Sequence, residues 1–224
     1  MNVLDLGCGT GSNLRGLSCH LKAAHQTWHL VDYDERLLQQ IRAPQPDIEI
    51  VPHHRDLSDG NIADLIGDCD LVTASALFDL VSPAIIEKIA AQIAERKRPF
   101  YTVLTYDGMA SWTPAHPLDD AVLQAFNAHQ KSDKGFGPAA GPDATNILAE
   151  AFTAAGYHVE HAPSPWHLGP ELEHLRTAVT EGYAEAIRET GTIAESDIGQ
   201  WLEHHRANTA SATIGHSDLL ALPQ

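Results

Sequence analysis

Basic residues and cysteine are scarce in this sequence. Lysine and arginine together number 14 against 30 aspartates and glutamates, which gives a formal net charge of −16. A surface of that sign repels phosphate backbones, so we expect no nucleic-acid partner. The three cysteines, Cys8, Cys19 and Cys69, form no paired motif. Their arrangement argues against a disulfide framework and favours a reducing compartment.

Long apolar runs and metal-binding spacings are also missing. No stretch reaches the roughly 20 apolar residues that a membrane-spanning helix needs, and no signal-peptide pattern is present. We therefore expect no membrane partner and a cytoplasmic location. The 14 histidines show no spacing typical of a metal site, so we predict no bound metal. The length of 224 residues favours a single domain, 1–224.

Strand-like and helix-like stretches alternate through the first half of the chain. The predicted strands cover 3–6, 28–31, 48–51, 70–74 and 100–105. The predicted helices cover 12–21, 34–41, 61–66 and 83–96. This alternation predicts an α/β fold, a doubly wound and mainly parallel sheet with helices on both faces.

The second half is less regular. Its predicted elements are a loop over 107–117, a helix over 118–129, a loop over 131–142, a helix over 143–155, a strand over 157–161, helices over 171–189 and 196–207, and a strand over 211–222. The whole pattern predicts a seven-stranded sheet whose last strand is antiparallel, with extra helices between its last two strands. We divide the domain into a cofactor-binding half, 1–106, and an acceptor-side half, 107–224, with a helical insertion at about 165–208.

The stretch VLDLGCGTGSNL, residues 3–14, joins the first strand to the first helix. Its glycines allow a sharp turn and a close approach of the backbone to a ligand. Ligands bind at this carboxyl end of the strands in open α/β sheets. A dinucleotide fingerprint would place a third glycine or alanine at position 12, where this sequence has Ser12. Asp5 would repel a pyrophosphate and attract an ammonium group.

The pattern D-x-G-x-G-x-G over 5–11 resembles the first motif of the class I, Rossmann-like S-adenosylmethionine-dependent methyltransferases of bacterial type. Asp32 lies 21 positions after Gly11 and matches the acid that ends the second strand in that family. Asp56, in HHRDLSD, matches an acid after the third strand. The stretch CDLVTASALFDLV, 69–81, resembles the motif after the fourth strand.

The resemblance implies S-adenosyl-L-methionine as the cofactor and S-adenosyl-L-homocysteine as the product. It implies that Asp32 holds both ribose hydroxyls, and that Asp56 and the backbone N–H of Leu57 read the adenine ring. The residues that it implies for cofactor binding are Asp5, Gly7, Cys8, Gly9, Thr10, Gly11, Asn13, Asp32, Tyr33, Asp56, Leu57, Ala74 and Leu77.

The acceptor site is expected above the carboxyl ends of the fourth and fifth strands. Tyr106 and Asp107 follow the fifth strand, where the family often contacts its acceptor. His129 begins a polar, glycine-containing stretch that suits a lid over a substrate. These three are the candidate catalytic residues, and the polar and aromatic surroundings predict a small-molecule acceptor. For Phe78 a functional and a structural role weigh equally, whereas the structural role is favoured for His216 and Asp218.

One departure from the family and two alternatives remain open. The family usually carries a helix ahead of the first strand, so the pocket is more open or the sequence is part of a longer protein. An exposed face there favours association, and a homodimer is the expected oligomer. An NAD-dependent oxidoreductase is the alternative enzyme, although Ser12 and the lack of a Tyr-x-x-x-Lys pair oppose it. A non-catalytic cofactor-fold binding module is the alternative outside enzymes.

Overall fold

The computed structural model describes all 224 residues and contains one mixed sheet. Its strands are β1 (Asn2–Leu6), β2 (Gln26–Asp32), β3 (Ile48–His54), β4 (Leu71–Ser75), β5 (Phe100–Thr113), β6 (Tyr157–Pro163), β7 (Trp166–Leu168) and β8 (Ser211–Pro223). The strand order is β3-β2-β1-β4-β5-β8-β6, and β7 also pairs with β8. The first five strands pair in parallel, whereas β8 runs antiparallel to its neighbours. The predicted fold class is confirmed, with β7 as an additional short strand.

Eight α-helices flank the sheet. They are α1 (Ser12–Leu17), α2 (Glu35–Leu38), α3 (Ala63–Ile66), α4 (Pro83–Glu95), α5 (Asp119–Gln130), α6 (Ala144–Ala154), α7 (Glu173–Thr190) and α8 (Glu195–Asn208). Local signals set several of their ends: Asp34 caps α2 by accepting the Arg36 backbone N–H at 2.9 Å, and Pro83 opens α4. A transmembrane helix is not found among them, because none combines the necessary length and apolar character.

Alternating residues of the strands pack into hydrophobic cores on opposite faces of the sheet. Val3 packs in the core beneath α1 and α2, whereas its neighbour Leu4 packs in the larger core beneath α4 and α6. This alternation is what a parallel strand covered on both faces requires. A third core, centred on Trp112 and Trp201, joins α5, α7 and α8 to the far ends of β5 and β8. Helices α5, α7 and α8 thus form a separate helical layer at one end of the sheet.

The predicted loop over 107–117 is wrong in its first part, because β5 continues to Thr113. The extension pairs with the long β8 through register shifts between Thr102 and Thr105 and between Tyr106 and Ala110. Gly108, with φ +89°, lies within the second shift, where irregular backbone permits a bend. The glycine and the aromatic residues suggest a loop when the local sequence is considered alone. The strand forms because it pairs with β8, which lies about a hundred positions further along the chain.

Candidate cofactor and acceptor site

The glycine loop lies between β1 and α1, at the carboxyl ends of the parallel strands. Gly9 has φ +54°, and a Cβ built on it would meet no atom within 4 Å. By contrast, a Cβ on Gly7 would lie 3.0 Å from Leu77, and one on Gly11 would lie 3.1 Å from Ile41. Two of the glycines therefore pack against apolar side chains. Gly9 faces open space that a ligand can enter.

Asp32 ties the end of β2 to this loop. Its Oδ2 accepts the backbone N–H of Gly9 at 2.8 Å, and its Oδ1 accepts the backbone N–H of Asp34 at 3.0 Å. The side chain is almost fully buried. Each carboxylate oxygen has a second lone pair, so Asp32 retains the capacity to accept hydrogen bonds from a diol.

A cavity of about 170 Å³ opens on one side of the loop. Its lining is mostly apolar and consists of Gly7, Asp32, Tyr33, Arg55, Leu57, Ala76, Leu77, Leu80 and Phe136. The structure thus brings together five of the residues that the sequence implies for cofactor binding.

Asp56 and Ala74, which the resemblance also implies for cofactor binding, do not line this cavity. The Asp56 side chain is exposed and accepts the Ser58 backbone N–H at 2.8 Å. Ala74 is fully buried in the core below, and Ala76, two positions further along the chain, lines the cavity in its place. Their predicted contacts with the cofactor stay predictions.

A second cavity, of about 400 Å³, opens on the other side of the loop. It is lined by Gly7, Cys8, Gly9, Ser12, Asn13, Ser75, Ala76, Leu104, Trp166 and His216. Gly7 and Ala76 line both cavities, so one groove crosses the carboxyl ends of β1 and β4. Thr10 and Gly11 belong to the loop but do not line either cavity, and the Thr10 carbonyl accepts from Arg15 Nη1 at 2.6 Å.

Asp5 lies beneath the loop and is completely buried. Its Oδ1 accepts from Asn13 Nδ2 at 2.8 Å, and Asn13 Nδ2 also donates to Thr73 Oγ1 at 3.0 Å. Its Oδ2 has no partner. Burial raises the pKa of Asp5 to about 7, an effect that the Asn13 hydrogen bond opposes. Asp5 lines neither cavity, so its predicted contact with the cofactor stays a prediction.

The three candidate catalytic residues lie outside both cavities. The Tyr106 hydroxyl donates to Asn127 Oδ1 at 2.9 Å and accepts from the Tyr183 hydroxyl at 3.2 Å, within the helical core. Burial raises its pKa to about 12, so it is a neutral phenol near pH 7. His129 Nε2 lies 2.9 Å from Glu189 Oε2, at the end of α5. The structure does not bring these two side chains to the groove.

Asp107, the third candidate, lies nearer to the groove, because it packs against a residue next to one that lines the larger cavity. Its Oδ1 accepts the Met109 backbone N–H at 2.9 Å, and the carboxylate rests against the backbone of Gly215, where any Cβ would collide with it. Gly215 directly precedes His216, which lines the larger cavity. The catalytic roles of Tyr106, Asp107 and His129 stay predictions.

Trp166 and His216, for the second of which the sequence favours a structural role, both line the larger cavity. Trp166 lies on β7 and His216 on β8, and their ring centroids are 4.9 Å apart at the wall of the larger cavity. His216 could be found only by aligning β8 against β5, because that alignment pairs it with Tyr106. No group of three or more histidine, cysteine, aspartate or glutamate side chains is arranged to hold a metal ion.

Known proteins and structures resemble this chain in sequence or fold. Residues 3–99 match the family model of a methyltransferase domain. No curated protein sequence matches the chain significantly.

Three solved structures share the fold at low sequence identity. A protein classed as a methyltransferase from Bacillus halodurans C-125 is 15% identical over all of this chain and 93% of the other, with a TM-score of 0.52. A cyclopropane-fatty-acyl-phospholipid synthase-like protein from Lactobacillus casei ATCC 334 is 16% identical over 99% and 84%, with a TM-score of 0.53. One classed as a type II methyltransferase from Anaeromyxobacter dehalogenans is 18% identical over 100% and 91%, with a TM-score of 0.50. The methyltransferase domain model thus covers residues 3–99, and the whole chain shares the Rossmann-like fold of these structures.

Proposed function

We propose that this protein transfers a methyl group from S-adenosylmethionine to a small organic acceptor. The observation that carries the proposal is the groove across the glycine loop, with a mostly apolar cavity at Asp32 on one side and a larger cavity at Trp166 and His216 on the other. The cavity at Asp32 suits the nucleoside part of this cofactor, and the larger cavity, which shares Gly7 and Ala76 with it, is left for the methyl-bearing end of the cofactor and the acceptor. The methyltransferase domain match over 3–99 supports this choice of ligand.

The residues of the groove fit this cofactor. Asp32 is placed to accept from ribose hydroxyls, and Leu57 and Leu77 provide apolar surfaces for a flat base. Open space at Gly9 leaves room for the amino acid chain of the cofactor. S-Adenosylmethionine, when bound, supplies a methyl group activated by a sulfonium.

The larger cavity suits a small acceptor. Methyl transfer is an in-line displacement, so the main task of the protein is to hold the two reactants in contact and in alignment. A cavity of about 400 Å³, shared with the loop and walled by Trp166, has the size of a small-molecule site. The net charge of −16 disfavours a nucleic-acid acceptor.

Calorimetry with S-adenosylmethionine, S-adenosylhomocysteine and NAD tests the cofactor. Saturable binding of the two sulfur ligands, without binding of NAD, is the expected result. Binding of NAD alone would overturn the proposal in favour of a dinucleotide enzyme. If the sulfur ligands bind and a broad screen of acceptors yields no methylated product, the chain is a binding module.

A further inference from the structure

Four side chains from three strands lie at or near the outer wall of the larger cavity, which Trp166 and His216 line and Asp107 and Asp218 do not. They are Asp107 of β5, Trp166 of β7, and His216 and Asp218 of β8. The Asp218 Oδ1 accepts from the Leu104 backbone N–H at 3.1 Å and from Ser164 Oγ at 2.6 Å. Leu104 and Trp166 both line the cavity, so Asp218 fixes two parts of its rim at once.

His216 is buried and its Nδ1 has no hydrogen-bond partner. Because Nδ1 is buried from solvent, the ring nitrogen that a ligand in the cavity can reach is Nε2, which has no hydrogen-bond partner and is not fully buried. Its ring is within 4.9 Å of the Trp166 ring and 6.5 Å of the Tyr106 ring, measured between centroids. The imidazole therefore packs at an angle to both aromatic rings, at a wall of the larger cavity.

The pKa of His216 is shifted by burial, by two carboxylates and by one backbone carbonyl. Burial lowers the pKa of the imidazole, while Asp107, the Ile214 carbonyl and Asp218 act in the opposite direction. The remaining titratable neighbour, Tyr106, is a neutral phenol near pH 7. Burial prevails, so the ring is neutral near pH 7 and is able to accept a proton.

We propose that His216 is the general base for methylation of a phenolic hydroxyl, with Asp107 as a positioning residue and Trp166 as the surface on which the phenol ring stacks. This inference rests on the proposed function and names its acceptor. Trp166 offers a large, flat and partly exposed face, which suits a planar ring. Asp107 does not touch the acceptor; it lies against Gly215 and supports the positive charge that His216 gains.

The reaction balances without a further reactant. The O–H bond of the phenol breaks, and its proton passes to the neutral imidazole of His216. The oxygen uses its electron pair to form the new O–C bond to the methyl group. The C–S bond breaks, and its electron pair stays on sulfur, which becomes a neutral thioether. One positive charge thereby leaves sulfur and one appears on His216, beside the carboxylate of Asp107.

Binding is tested first, on the full chain with S-adenosylhomocysteine bound. The probes are 4-methylphenol, which is un-ionised near pH 7, and 4-nitrophenol, which is largely ionised above pH 8. Histidine is labelled with ¹³C, and the His216 signal is assigned by its loss in His216→Gln. His167 is the matched control, because it lies on β7 but is exposed and faces Thr213. We expect 4-methylphenol to shift the His216 signal saturably and to leave the His167 signal unchanged.

Catalysis is tested next with His216→Gln and His167→Gln. His216→Gln should lower kcat for 4-methylphenol by at least about 100-fold, the lower range for general acid–base catalysis. Its affinity for S-adenosylhomocysteine and its KM should change little. Because 4-nitrophenol above pH 8 has already lost its proton, the variant should methylate it with a far smaller loss. Asp107→Asn should lower the His216 pKa and shift the pH profile to lower pH, which a purely structural role would not do.

The outcomes separate this inference from the proposed function. If the wild type does not bind S-adenosylhomocysteine, both are overturned. If it binds and neither phenol shifts the His216 signal, only this inference is overturned. The same holds if the bound phenols are not methylated, if His216→Gln behaves like His167→Gln, or if His216→Gln loses both phenols equally.

Discussion

Gly9 donates its backbone N–H to Oδ2 of Asp32 at 2.8 Å, across 23 positions of the chain. This bond joins the two motifs that the sequence offers for cofactor binding, the loop after β1 and the acid that ends β2. Asp32 therefore has a structural task before any ligand arrives, since it fixes the loop. It also keeps lone pairs for hydroxyl groups from outside.

Replacing Asp32 with alanine tests this double role. We expect Asp32→Ala to weaken binding of S-adenosylhomocysteine by about 1.5–3 kcal/mol, the size of hydrogen bonds to a charged group. Asp34→Asn is the control, because the Asp34 side chain lies in the same turn but pairs with Arg36. Calorimetry on both variants gives the comparison. Equal affinity of Asp32→Ala and the wild type would remove Asp32 from the site.

Gly9 offers a second test, because its missing side chain leaves open space. We expect Gly9→Val to abolish binding of S-adenosylhomocysteine, since a branched side chain would project into the groove. Gly191→Val is matched to it: Gly191 has φ +62°, a Cβ there also meets nothing within 4 Å, and it ends α7 away from the groove. Both variants carry the strain of a β-branched residue at positive φ. A folded Gly9→Val that still binds tightly would show that the ligand does not approach the loop.

The buried Asp5 predicts an unusual dependence of stability on pH. Its folded pKa, about 7, lies above the ordinary value of 3.8, mainly because of burial. The folded state therefore holds a proton that the unfolded state has already released between these values. The contribution to stability is fully present below pH 3.8 and is lost as the pH rises towards 7, by roughly 4 kcal/mol in total at 1.36 kcal/mol per pKa unit.

Asp5→Asn removes this titration and keeps the shape of the side chain. In the absence of cofactor, the variant should gain stability relative to the wild type as the pH rises from 4 to 8. Urea unfolding across that range measures the difference, in which the other titrating groups largely cancel. Asp70→Asn is a control, because Asp70 accepts the Asn2 backbone N–H at 2.8 Å from an exposed position. A constant difference between Asp5→Asn and the wild type would contradict the raised pKa.

The features that the sequence predicted well depend on short-range spacing. The loop over 5–11 and Asp32 are readable because strand, turn and helix follow one another within about thirty residues, and the sheet order of such a unit is strongly constrained. The strands after β1 and the helix α4 were found for the same reason. Each has its own periodicity and its own breakers, such as Pro83.

The acceptor side was harder to predict because tertiary pairing creates it. His216 reaches the groove only because β8 inserts between β5 and β6, with a register that sets it opposite Tyr106. His129 was expected at a lid, but its position relative to the groove depends on how α5 packs against α7, where it meets Glu189. The Tyr106 hydroxyl turns to Asn127 and Tyr183 for the same kind of reason. None of these partners is close in sequence.

The carboxylate of Asp119 links the helices at the end of the sheet through hydrogen bonds. Its Oδ1 accepts from Trp201 Nε1 and pairs with His205 Nε2, both at 2.8 Å, and its Oδ2 accepts the His116 backbone N–H at 2.8 Å. These contacts attach α8 to the start of α5. The side chains of Trp201 and His205 are both buried, so neither has water as a substitute partner.

Asp119→Ala should therefore lower the free energy of unfolding by roughly 2–6 kcal/mol, because each of two buried donors left unpaired costs about 1–3 kcal/mol. Asp120→Ala is the matched control: Asp120 is the next residue of α5, is exposed, and should change stability by less than about 0.5 kcal/mol. Urea unfolding near pH 7 measures both. Since the groove lies on other elements, the folded Asp119→Ala protein should still bind S-adenosylhomocysteine. If Asp119→Ala is no less stable than Asp120→Ala, α8 is held to the domain by its apolar contacts alone.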